Sequence, residues 1–262
     1  MIPKMGRHKN GRAFRVWPGA VLVMAFLLGA GFNAAALLHR SQHWRIALGA
    51  EIIAEPADAN TPGPVTRFRQ TTAAALLESL EVKAPVPRTG YGRDKFGSAW
   101  SDVDGNGCDT RNDVLRRDLR GVTVQPGSGC LVAAGSLLDP YTGRQIDFRR
   151  GPETSGAVQI DHVVALSDAW QKGAQSLQPG QRLAFANDPL NLIAVDGPAN
   201  VKKSDADAAG WLPPNQGYRC GYVARQVSVK AAYGLWVTEA EKRAMAEVLG
   251  GCMMEPSLAS GL

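Results

Sequence analysis

Histidine is scarce in this 262-residue chain: there are four, at positions 8, 39, 43 and 162, and the first three lie in or beside an N-terminal basic and apolar segment. A site that needs an imidazole is therefore most economically built around His162, because only His changes charge near neutral pH unaided. Cysteine is as sparse, with four residues and no Cys-x-x-Cys pair. That argues against a thiolate zinc site and, in an exported chain, for disulfides. Nearest neighbours in sequence pair as Cys108–Cys130 and Cys220–Cys252. No internal repeat is evident.

Acidic residues are missing from the first fifteen positions, which hold Lys4, Arg7, Lys9, Arg12 and Arg15. These cations account for the whole excess of 29 basic over 24 acidic residues. The basic balance is thus a property of the terminus, not a sign of nucleic-acid binding, and any phosphate-binding surface must be local. Val16 to Leu38 carries no charge, and a run of about 23 residues suits a membrane anchor, while Ala34-Ala35-Ala36 suits cleavage of a signal peptide. Both readings leave the folded part outside the membrane, extracellular or membrane-anchored. The organisation expected is a cytoplasmic basic tail (1–15), an anchor or signal (16–38), a Pro/Ala-rich linker (39–70), one folded domain (71–255) and a disordered tail (256–262).

What the folded part does contain is a three-part pattern. Val158 and Ile160 alternate with polar neighbours as in a short strand, which delivers Asp161 and His162 to its end on opposite faces. Leu190, Leu192, Ile193 and Val195 form a second apolar run behind Asn191. The turn Asp196-Gly197-Pro198 closes it, and Ala199 to Ala209 can form a helix carrying Asn200.

Asp-His at the end of one strand, Asn opening the next, and Asn200-x-x-Lys-Ser-Asp205 nine positions later resemble the HNH, or ββα-metal, nucleases. The match covers Val158 to about Asp207. From about Tyr91 to Cys252 the chain is similar to secreted bacterial HNH endonuclease proteins related to the nuclease half of GmrSD restriction enzymes. The resemblance implies an α+β fold: a small antiparallel sheet with a ββα core, flanking helices and disulfides. It makes Asp161 and Asn200 ligands of one divalent cation, His162 the general base and Asn191 the residue that orients its imidazole. Lys202 and Lys203 become candidate substrate contacts. Oxygen ligands favour Mg²⁺ or Mn²⁺, and the implied partner is nucleic acid, DNA or RNA. The long Ser167–Asp188 insertion departs from the family pattern.

Upstream, Asp102, Asp104, Asn106, Gly107 and Asp113 fall at calcium-loop positions, with no entering helix. The other readings are an Asx-rich turn in which Asp109 or Thr110 caps the next helix, and a part in the nuclease site. A non-catalytic exported module that binds Ca²⁺ or surface material through Asp102–Asp113 is accordingly the alternative function. Gly107 to Asn112 resembles a Gly-Cys-Asp-Thr-Arg-Asn motif of the secreted nucleases, which makes Arg111 a candidate phosphate contact, the alternative being a surface ion pair with a nearby Asp. Gly121 to Phe148 reads as strands joined by hairpins. Thr238 with Glu241 reads as the capping box of a last helix.

Overall fold

The computed structural model describes residues 71–260 and 262, so the basic tail, the candidate span and the linker lie outside the described residues. Among the described residues no helix is long and apolar enough to cross a membrane. The chain is α+β. Helix α1 (Ala73–Ser79) and α2 (Thr110–Asp118) precede a three-stranded antiparallel sheet, β1 (Arg120–Val124), β2 (Val132–Leu138) and β3 (Gln145–Arg149), in the hairpin order expected. A separate antiparallel pair follows. Strand β4 (Val158–His162) runs against β5 (Leu192–Asp196), with Asp161 opposite Ile193 and His162 opposite Leu192. The insertion between these strands folds as α3 (Leu166–Gln171) and α4 (Pro179–Asn187); α5 (Gly197–Lys203), α6 (Arg219–Ala232) and α7 (Glu239–Gly250) complete the chain.

Local chemistry explains the boundaries. Asp109 caps α2 by accepting the Asn112 amide at 2.8 Å, as an Asx-rich turn would, and Thr238 and Glu241 form the capping box of α7. Helix α5 begins on Asp196, whose carboxylate accepts the Ala199 amide at 2.8 Å, and stops well short of the expected Ala209. Ser204 adopts a left-handed φ of 53°, and the Asp207 carboxylate is drawn away to the Lys172 ammonium at 2.7 Å. That ammonium belongs to a buried group of charges. Lys172 meets Asp168 and Glu241, and Lys230 meets the same two acids at 3.2 and 2.9 Å, so α3, α6 and α7 are joined by ions as well as apolar contacts. Burial pulls the Lys172 pKa down, but the facing Asp168 and Glu241 outweigh it and the net direction is up.

The two disulfides pair as the spacing suggested, Cys108–Cys130 and Cys220–Cys252. The first ties the Asp-rich turn to the start of β2, and the second ties α6 to the end of α7. The chain end corrects one expectation. Residues 256–262, expected as a disordered tail, include segments that dock: the Ser257 amide donates to the Thr71 carbonyl at 2.9 Å, the Leu258 amide to Ser228 Oγ at 2.9 Å, and the Ser260 hydroxyl to Asp188 at 2.8 Å. Leu258 and Leu262 supply apolar contacts to the core beside Phe185 and Tyr233, which a polarity-based reading of so short a tail undervalues.

Candidate functional site

Strand β4 sends its alternate side chains to two different environments. Val158, Ile160 and His162 face one side, and Gln159 and Asp161 face the other, toward α5. His162 is half-buried, and its Nε2 lies 2.8 Å from the carbonyl oxygen of Ala186 at the end of α4. A carbonyl can only accept, so Nε2 carries the hydrogen and the free lone pair sits on Nδ1. Burial pushes the imidazole pKa down to about 4; the Ala186 carbonyl opposes this, and the positive charges of Arg93 and Lys203 reinforce it. The ring is therefore neutral at pH 7. The Trp100 indole stacks near it, with centroids 6.3 Å apart and planes 15° from parallel. Both rings line a pocket of about 160 Å³ that Arg93, Ser98 and Asn187 also border.

Asp161 is buried and engaged at both oxygens. The Tyr141 hydroxyl donates to Oδ2 at 2.5 Å, and the Lys203 ammonium donates to Oδ1 at 3.1 Å and to the His162 carbonyl at 2.9 Å. Burial raises the Asp161 pKa, which Lys203 and Tyr141 offset only in part. Lys203 itself is fully buried, so it is a partner of Asp161 and not the substrate contact expected; Lys202 beside it is exposed. Asn200 donates to the Gln159 amide oxygen at 2.9 Å.

One further expectation is corrected. Asn191 is not hydrogen-bonded to the imidazole: its amide clamps the turn after β4, accepting from the Val164 amide at 2.9 Å and donating to the Val164 and Phe185 carbonyls, both at 3.3 Å. The orienting partner of His162 is the Ala186 carbonyl, and a backbone acceptor has no side-chain signature to read. Arg111 lies at the far end of β4, donating to the Val158 carbonyl at 3.4 Å. Burial and the nearby Arg150 lower its pKa, against the opposing pull of Asp109. Tyr141 was missed because Asp139-Pro140-Tyr141-Thr142-Gly143 reads as a hairpin turn. The turn exists, but its tyrosine drops into the core, where burial and the Asp161 charge push the phenol well up.

Each Asp161 oxygen accepts one hydrogen bond, and the buried Lys203 ammonium 3.1 Å away already supplies the positive charge beside it, so Asp161 and Asn200 as placed do not favour a shared Mg²⁺ or Mn²⁺. In the Asp-rich turn, Asp102 accepts from the Asn106 and Gly107 amides at 3.1 and 2.9 Å, and Asp104 accepts from Asn106 at 3.2 and 3.0 Å. Each of those oxygens accepts from the loop itself. Among the described residues no group of three or more His, Cys, Asp or Glu side chains is placed to hold a metal ion.

Fold and site together define a small disulfide-tied α+β domain whose solitary imidazole ends a strand beside a pocket. Residues 109–248 match the family model of the C-terminal domain of GmrSD restriction endonucleases, and the chain belongs to that family. It is also similar to an uncharacterized secreted protein of the fungus Arthroderma benhamiae, 41% identical over 203 residues that cover 77% of this chain and 94% of the relative. That relative is fungal, where the resemblance had pointed to bacterial proteins. No solved structure matches the chain.

Proposed function

We propose that this chain is an exported nuclease that hydrolyses phosphodiester bonds of nucleic acid, with His162 as the general base that activates water. The observation that carries the reading is the bond from His162 Nε2 to the Ala186 carbonyl, which leaves a neutral imidazole with its lone pair on Nδ1. Such a nitrogen can take a proton from water as the oxygen attacks phosphorus, and positioned base catalysis of this kind contributes about 10²–10⁴-fold. An incoming phosphodiester is anionic and raises the imidazole pKa, which makes it a better base in the complex than in the free protein. Membership of a restriction-endonuclease domain family and similarity to a secreted protein support nucleic acid as substrate and export as destination.

We read β4, β5 and α5 as the ββα core of an HNH nuclease: two antiparallel strands, the first ending in Asp-His, followed by a helix with Asn-x-x-Lys-Ser-Asp. Asp161 and Lys203 then act on one another, fixing the strand end that carries His162. The divalent cation of the family resemblance is assigned no step, because Asp161 is held by Lys203 and Tyr141. The test is incubation of the purified oxidised full-length chain with supercoiled plasmid DNA and with RNA, in Mg²⁺, Mn²⁺, Ca²⁺ and chelator. Cleavage of either polymer that His162→Ala abolishes, with the melting temperature retained, supports the reading. Cleavage undiminished in His162→Ala removes His162 from the mechanism, and no cleavage under any condition sinks the nuclease assignment.

A further inference from the structure

Residues 93–100 precede the residues matched by the family model, which begin at 109, yet they supply most of the pocket wall that faces His162. We propose that this segment completes the site, with Arg93 a substrate-phosphate contact and Trp100 a residue that positions the imidazole. The inference rests on the nuclease reading of His162.

The segment is held firmly enough to serve. Phe96 is buried against Trp170 and Phe185, and the Lys95 carbonyl accepts Arg182 Nε at 2.8 Å. Gly97 has a φ of 79° and lies so close to α4 that a Cβ there would meet Leu183 at 2.6 Å. Trp100 follows with a φ of 59°. A tryptophan in the left-handed region is strained, and such strain persists where the surroundings over-determine it and clusters at functional sites. Its indole packs on the core that includes Val158 and Ile160 and stacks on the imidazole two residues further along the same strand face. The indole thus forms a fixed wall for a ring whose Nε2 is already held by Ala186.

Arg93 borders the same pocket. It is exposed, and among the described residues it forms no ion pair, while its neighbour Asp94 faces Lys95 at 3.6 Å. A solvated surface charge would carry no consequence for the site. This one is close enough that its field acts on His162, and it lines the same pocket as the imidazole. A planar guanidinium in the same pocket as the general base is suited to two phosphate oxygens at once.

The experiment uses the oxidised full-length chain and a short oligonucleotide of the polymer it cleaves, with binding measured in the inactive His162→Ala background at several salt concentrations. Arg93→Gln is expected to raise KM more than it changes kcat. It is also expected to reduce the slope of log affinity against log salt by about 0.7–0.9, the loss of one phosphate contact. Trp100→Ala is expected to lower kcat by about 10–100-fold while leaving oligonucleotide affinity unchanged, with Trp100→Phe restoring most of the rate. An unchanged KM and salt slope in Arg93→Gln overturns the phosphate role. A Trp100→Ala variant with unaltered kcat, or one whose losses Phe does not relieve, overturns the positioning role. If wild type neither cleaves nor binds any oligonucleotide, the nuclease reading falls and takes this proposal with it, an outcome distinct from a wild type that works beside indifferent variants.

Discussion

The Lys203 ammonium sits 3.1 Å from Asp161 Oδ1 with both side chains buried, so the charged pair expected to face a cation and a substrate faces itself. Removing one partner leaves the other charge buried and unpaired, and Lys203→Met or Asp161→Asn should each cost about 3–5 kcal/mol. Replacing both should cost less than the sum of the two. Urea unfolding of the four proteins of this double-mutant cycle checks it, and strictly additive losses would show that the pair carries no coupling.

The depressed imidazole pKa sets a pH dependence. The folded protein disfavours protonation of His162, whereas the unfolded chain takes the proton near the ordinary value of 6.5. The contribution of this group to stability is therefore complete above about 6.5 and is lost as pH falls from there toward about 4. Activity should follow the folded value: kcat/KM, which reports the free protein, keeps its neutral plateau down to mildly acidic pH and falls near 4. Lys203→Met removes a facing positive charge and should move that limb upward. An acid limb centred at 6.5 in the wild type would contradict the burial of the base.

Reduction of Cys108–Cys130 should cost stability and activity together. The bond closes a separation of 22 residues, worth roughly 3 kcal/mol in the chain-entropy model. It also fastens the turn that runs from Trp100, beside His162, to Arg111, beside Val158. Reductant should lower the unfolding midpoint and the rate, and reoxidation should restore both. Activity untouched by full reduction would separate this turn from the site.

Much of this was legible before folding, for local reasons. Alternation at Val158 and Ile160 and the Thr238 capping box each depend on residues within one turn or strand, and each element formed; the cysteine pairing followed from the small number of choices, and the Asp196-Gly197-Pro198 turn became the cap and first turn of α5. What escaped depends on distance along the chain. Asp161 and Lys203 are 42 residues apart, and a lysine on a short helix looks solvent-facing until its partner is known. The Ala186 carbonyl and the descent of Tyr141 into the core carry no sequence pattern at all. Asn191 reads as a polar catalytic residue, yet a buried amide with one acceptor and two donor hydrogens also suits the backbone of a tight turn, and that is where it went.

Chemical rescue tests the central claim most directly, because it asks whether the missing group is a base. His162→Gly should lose about 10²–10⁴-fold in phosphodiester cleavage, and added imidazole should restore part of that rate in proportion to its concentration and to its neutral fraction. A His162→Gly variant that cleaves as fast as wild type would contradict the account. So would one that loses activity while imidazole restores none and its oligonucleotide affinity is lost as well, since His162 would then serve binding and not proton transfer.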